Sequence, residues 1–249
     1  MVHDRKNDYD WIDTKLLNMQ VEKKIGILLL TGAIALFIPY TILTIMFEYP
    51  GILRQDTTVI LTKFHEGGST LILVWFAFAI TGIPLIPAYI LIGQTLENKS
   101  SLIRVATTIG VIGLIVQMIG LLRWTFVVPV LAHSFLDSTD GETKAAAIVA
   151  FKTMHQFAGV MLGEHLGQLF TIAWTILITD AFKKLKLVPI WVTTLGYISS
   201  FIYLIAQAEL FATVIPGFPV WNPAGFLGST LWLIWLIIIG VKFLKMKIN

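Results

Sequence analysis

Charge is nearly absent from five long stretches of this chain, and it interrupts a sixth only near its end. A helix that crosses the hydrocarbon core of a bilayer needs about 20 mainly apolar residues. No water reaches that depth, so every backbone amide must find its partner inside the segment. The six stretches lie near residues 25–47, 69–93, 103–128, 160–181, 189–210 and 224–242. Leu, Ile, Phe, Trp, Ala and Gly dominate them at lengths that suit helices, and the short alternating segments of an outer-membrane barrel are missing. The charged fraction is 13%, where an ordinary soluble domain has about 25%. The expectation is an all-α polytopic membrane protein: one domain over residues 1–249, a bundle of six transmembrane helices.

Lysine and arginine orient such a bundle, because cytoplasmic loops carry the excess of positive charge. Arg5, Lys6, Lys15, Lys23, Lys24, Lys99, Arg104, Lys183, Lys184, Lys186, Lys242, Lys245 and Lys247 fall on one side. The other side holds Arg54, Lys63, Lys144 and Lys152, with Arg123 just inside the membrane. Both termini are therefore expected in the cytoplasm, and the expected location is the cell (cytoplasmic) membrane. Residues 1–24 read as a cytoplasmic segment: a short amphipathic helix on the inner surface, or a disordered tail. They are too charged for a cleaved signal peptide, which makes the first span an uncleaved anchor. The net charge of +3 follows from this asymmetry, and without a basic patch to track phosphates no nucleic-acid partner is implied. The chain has no cysteine, so thiolate metal sites, iron–sulfur clusters and disulfides are excluded and any metal must use nitrogen and oxygen ligands.

Helix breakers set the connections. Gly82, Pro84 and Pro87 predict a kink or broken turn in the inner half of the second span. Residues 48–68, with Pro50, Gly51 and the pair Gly67–Gly68, read as an outer loop; so does Ser134 to Gly141. Residues 211–223 are uncharged and rich in proline and aromatics, and could cap the bundle.

Ionisable residues converge on the outer layer. Counted at 1.5 Å per residue from Arg104, Arg123 lies about 28 Å higher, near the outer boundary. His65 and Glu66 precede the second span on that side, His133 follows the third, Glu164 and His165 open the fourth, and Gln207 and Glu209 end the fifth. Charge at membrane depth is costly, and by default marks a functional site. Gly159, Gly163 and Gly167 share one helical face below His155 and invite close helix packing. Glu164, Gln168, Thr171 and Thr175 run down an adjacent face at spacings of 4, 3 and 4, a polar stripe that should face the bundle interior, where Gln117 also lies. Each feature has a plainer reading beside the functional one. Arg123 can pair with Glu164 or Glu209 as structural glue, or snorkel to lipid phosphates. His133 and His155 can be ordinary interfacial residues, and Trp124 a belt anchor rather than a platform for a ligand.

The element Leu122-Arg123-Trp124 followed by Val127-Val128-Pro129, together with the run from His155 through Gly163-Glu164-His165-Leu166-Gly167, resembles an uncharacterised family. Its members are small six-helix prokaryotic membrane proteins classed as a domain of unknown function. The resemblance implies size and topology and carries no activity.

Three kinds of function fit these residues. In the first, a metal ion or haem b is bound, with His65, Glu66, His133, His155, Glu164 and His165 as candidate ligands; imidazole and carboxylate suit Fe, Cu, Zn or Mn. His155 and His165 are ten residues apart, about 15 Å along one helix, so they share an ion only if the helix bends near Gly159. An enzymatic variant has Glu164 as base and His165 or Arg123 as electrophile on a lipidic substrate, with no recognised motif behind it. In the second, a pocket with Arg123, Trp124, Glu164, Gln168 and Glu209 binds a small molecule as a sensor. In the third, the chain is an accessory subunit of a larger membrane complex or a homo-oligomer. A transporter is less favoured, since no inverted repeat is visible.

Overall fold

The computed structural model describes the backbone of residues 5–100 and 102–246, and within that range the side chains from Gln20 onward. His3 and the side chains of the first nineteen residues lie outside it, including the amphipathic face expected there. The described residues are helical without a strand, and six helices are long and apolar enough to cross a membrane.

α1 (Arg5–Phe47) runs unbroken from the N-terminal segment through the first span. A one-turn 3₁₀ helix (Gly51–Arg54) leads to α2 (Thr57–Ile80), and residues 81–84 separate α2 from α3 (Leu85–Leu96), the break that Gly82 and Pro84 predict. α4 (Leu102–Phe126) and α5 (Val128–Leu136) form the third span and its extension. α6 (Gly141–Met154), a π-helical segment (His155–Leu166) and α7 (Gly167–Lys184) follow one another without interruption. α8 (Ile190–Ile205) with α9 (Gln207–Ala212), and then α10 (Ala224–Lys245), complete the chain. Each span packs on its neighbours in sequence, and α10 closes the ring against α1. The end where α1 begins and α10 finishes is the terminal end; the opposite end is the distal end.

Two apolar clusters fill the ring. The terminal half buries Leu29, Tyr89, Trp174 and Trp235, with the Tyr89 and Trp174 rings stacked at 3.6 Å. The distal half buries Phe47, Phe64, Trp75, Trp124 and Phe151, with Trp75 and Trp124 stacked at 4.7 Å. Outward faces carry Ile38, Ile45, Leu73 and Phe201, more than 60% exposed, as suits lipid contact. Several threonines within the apolar helices return their hydroxyls to the preceding turn, as Thr95 does to the Leu91 carbonyl and Thr175 to Thr171, which keeps these donors from facing hydrocarbon.

Two expected loops are shorter than their composition suggests. Residues 57–68 are helical: the Asp56 carboxylate accepts from the Thr58 amide as an N-cap, and Ile60, Leu61 and Phe64 bury one face. The Gly67–Gly68 pair is a kink inside α2 instead, with Gly68 at φ 53°, ψ −152°, a conformation open to glycine alone. Residues 128–136 are likewise helical, started by Pro129 in the first turn, and the loop contracts to 137–140 before Asp140 caps α6. His65 and His133 therefore stand on helices, on rigid supports.

Where α4 approaches the fourth span, glycine leaves no room for a side chain. A Cβ on Gly120 would sit 2.7 Å from the Gly163 Cα and 2.8 Å from the Ala158 carbonyl, both backbone atoms. Gly120→Ala should therefore cost about 1–3 kcal/mol through overpacking. Gly225→Ala, whose Cβ would find nothing nearer than 4.0 Å, should stay within about 0.5 kcal/mol. Thermal unfolding of both variants in the same detergent measures the contrast; equal losses would show that the helices can separate freely.

Candidate functional site

Two groups of ionisable side chains stand out at the distal end. The first is built around Arg54. The 3₁₀ turn drives Ile52 and Leu53 into the distal cluster, which fixes the backbone and leaves Arg54 to reach across the bundle. Its Nη2 donates to Glu164 Oε2 at 2.6 Å, and its Nε to Glu209 Oε1 at 2.9 Å. One arginine thus ties the first distal loop to the fourth and fifth spans. Burial works against the Arg54 charge, but the two carboxylates outweigh it and hold the guanidinium above its ordinary pKa.

Arg123 lies beneath this clamp, 6% exposed. Its Nη1 donates to the Gly120 carbonyl of its own helix. Its guanidinium rests against Gly159, where a Cβ would be 2.5 Å from Nη2, and faces the Trp124 ring at 5.1 Å. His155 stacks on Phe151 at 5.4 Å and meets Trp124 edge-on at 6.1 Å. The three glycines each receive something from α4: Gly159 the Arg123 guanidinium, Gly163 the backbone at Gly120, and Gly167 the side chain of Gln117.

The polar stripe turns inward and knits the spans together. His165 Nδ1 shares a 2.8 Å hydrogen bond with Gln207 Oε1, and Gln207 Nε2 donates to Gln168 Oε1. Deeper, Gln117 Nε2 donates to Thr171 Oγ1 and the Gly167 carbonyl, and Trp232 Nε1 donates to Thr175 Oγ1. Most of these donors and acceptors satisfy one another, so this seam is packing.

The second place is on the surface, between α2 and α5. His65 and His133 meet with ring centroids 4.9 Å apart, edge to face. Asp137, one turn beyond His133, shares a 2.8 Å hydrogen bond with His133 Nδ1 and lies 3.7 Å from His65 Nε2. One ligand atom from each of the three falls within 4.8 Å of the others. The bond from His133 is the main reason the Asp137 carboxyl is held below its usual range, with the fields of His65 and His133 adding to it. A pocket of about 180 Å³ opens beside the two rings, floored by Phe64, Gly68, Ile72 and Pro129.

Residues 25–240 match the family model described as a domain of unknown function, DUF4386. The chain belongs to the DUF4386 family. No curated protein and no solved structure matches it. The family resemblance read from the Arg123 and Glu164 segments thus holds over most of the chain, as does the membrane character.

In this DUF4386 chain the expected site residues separate. Glu164 and Glu209 meet Arg54, and the pairing expected of Arg123 with either carboxylate does not form. Arg54 is nearer the surface and its flexible stem spans the gap, while Arg123 is held flat by Gly159 and Trp124. His65 and His133 come together, Glu66 points outward beside them without a hydrogen bond or ion pair among the described residues, and His155 and His165 belong to other surroundings. Trp124 is a core residue rather than a belt anchor. Two residues escaped the sequence reading. Asp137 stands four after His133, the spacing at which helical side chains meet, a signal hidden by reading 134–141 as loop. Arg54 is the single arginine in the distal loops, and two distal carboxylates were already in view.

A double-mutant cycle separates the clamp from the deeper arginine. Arg54→Gln and Glu164→Gln should couple by about 1 kcal/mol, in keeping with a partly exposed ion pair with direct hydrogen bonds. Arg123→Gln and Glu164→Gln should couple less, because no bond joins them. Unfolding free energies of the singles and doubles decide, and a larger coupling for Arg123 would reverse the assignment.

Proposed function

We propose that this protein is a metal-binding protein of the cytoplasmic membrane, with both termini in the cytoplasm and a divalent transition-metal site on the outer face. The orientation rests on the basic residues gathered at the terminal end, where Lys99, Arg104, Lys183, Lys184, Lys186, Lys242 and Lys245 lie. The metal reading rests on one observation: His65, His133 and Asp137 hold three ligand atoms within 4.8 Å of each other on two helices.

The chemistry of that donor set is specific. Two imidazoles and a carboxylate suit zinc, copper, iron or nickel, and select against calcium and magnesium, which prefer all-oxygen shells. Metal–nitrogen bonds near 2.0–2.1 Å place tetrahedral donors about 3.3 Å apart, so the group must draw in slightly. Exposed side chains on α2 and at the end of α5 can supply this by rotation. Three protein ligands leave at least one coordination position to solvent or substrate, the pattern of a site that acts on something or hands its ion on, rather than a closed structural site. Asp137 orients His133 through their hydrogen bond, and rotating it onto the ion turns that partner into a ligand.

A haem-type cofactor has less support. The His65 and His133 rings touch edge to face, which leaves no gap for a porphyrin between them, and His155 and His165 are committed to other contacts. The reading is therefore confined to a metal ion.

Purified protein, stripped with chelator and titrated with Zn²⁺ or Cu²⁺, should bind one equivalent by calorimetry and elemental analysis. His65→Ala and His133→Ala should each weaken binding by about tenfold or more, at least the loss that follows removal of an outer-shell partner. Glu66→Gln should leave it unchanged. Binding that is absent, or that survives the double histidine variant, would overturn the proposal.

A further inference from the structure

His65 and His133 both line a cavity, and the cavity lies on a definite side of them. α2 runs from His65 away from the distal end, which carries Gly68, Ser69 and Ile72 below the imidazole. α5 runs the opposite way, which puts Pro129 and Ala132 below His133 and Asp137 one turn above it. The imidazoles thus stand between a carboxylate on the distal side and a space of about 180 Å³ on the side of the membrane core. The space lies at the Gly68 kink, where an added Cβ would meet no atom within 4 Å.

Apart from the histidines, the lining is apolar and uncharged. Phe64, Ile72, Pro129 and Ala132 form the walls, Ser69 supplies the one other polar side chain, and no Lys, Arg, Asp or Glu takes part. Leu73, next to Ile72 in the chain, and Val130, next to Pro129, are 66% and 63% exposed. Surface suited to lipid therefore reaches the surroundings of the cavity.

Size and charge narrow the occupant. An apolar cavity of about 150 Å³ takes up benzene, so this one suits a single six-membered ring or a short chain of similar volume. A second ring in line with the first exceeds it. No cation in the lining would match a second negative charge, which disfavours phosphates and dicarboxylates. An ion on three protein ligands keeps a further position for solvent or substrate. With Asp137 on the distal side, that position is turned toward the cavity.

We propose that the cavity holds the apolar body of a small amphiphile that coordinates the ion through one group: a phenolate, a hydroxamate or a monocarboxylate. The inference rests on the metal reading above, in which His65, His133 and Asp137 hold the ion. One ring's worth of ligand lies against Phe64, Ile72 and Pro129. The ion supplies the attachment and the walls supply the selectivity, the usual division in sites that are mostly apolar with a few placed polar groups.

Protein loaded with Co²⁺ reports ligation through the visible absorption of the ion, and three hydroxamates serve as probes. Benzohydroxamate is expected to bind at least about tenfold more tightly than acetohydroxamate, the ratio that burial of one apolar ring supplies. A biphenyl hydroxamate should lose that advantage, which separates a fit of limited size from simple partition into detergent. Ser69→Leu, which extends an apolar side chain into the cavity, should bring benzohydroxamate down to the acetohydroxamate level. Equal affinities for the aceto and benzo probes, or a steady rise from one ring to two, in protein that has bound Co²⁺ would overturn this inference and leave the metal reading standing. Failure to bind Co²⁺ at all would overturn the metal reading, and this inference with it. Should Ser69→Leu fail to fold, the order of the three probes in the wild type decides alone.

Discussion

The contact of Gly120 with Gly163 sets the positions of everything at the distal end. Two backbones meet there with no side chain between them, so α4 and the fourth span are locked in register at one level. Three residues either side on α4, Gln117 and Arg123 are forced into the spaces left by Gly167 and Gly159. Gln117 finds Thr171 and the Gly167 carbonyl, and so ends as satisfied glue. Arg123 finds glycine and indole, and stays short of acceptors. One packing constraint thus yields a structural residue below and, above, a charge with no carboxylate in hydrogen-bond contact among the described residues.

The π-helical segment from His155 to Leu166 is the other half of that constraint. Its i→i+5 bonds take more residues per turn than an α-helix, and segments of this kind are frequent at functional sites. Its glycine face meets α4 while Glu164 and His165 reach Arg54 and Gln207 on other elements. No proline breaks the run from α6 to α7, so the change of winding follows from packing, with small residues tolerating the backbone shift. The Arg54 clamp then fastens the first distal loop over the whole assembly, joining elements more than a hundred residues apart in the chain.

The group of His65, His133 and Asp137 has a different origin. It stands outside the ring, where α2 extends past its glycine kink and α5 past Pro129. Neither extension is needed to cross a membrane, and both are pinned by buried residues, Phe64 and Ala132, next to the histidines they carry. That gives exposed ligands a rigid base, which a loop would not.

Much of this architecture was legible in the chain. Six apolar stretches dictate six helices because a bilayer denies the backbone any other partner. Counting residues from basic anchors places His65, His133, Arg123, Glu164 and Glu209 in one layer, since helical rise is constant. The stripe Glu164, Gln168, Thr171 and Thr175 had to face inward for the same reason that lipid rejects polar groups. What tertiary structure alone decided was which members of that layer touch. Depth comes from local geometry, but azimuth comes from how six helices pack around one another, and rise per residue is silent on it. So Arg54, a loop residue, took the carboxylates expected of Arg123, and Asp137 joined the two histidines once residues 128–136 were helix rather than loop. Side-chain partnership across a bundle is a property of packing, and single-chain periodicity does not carry it.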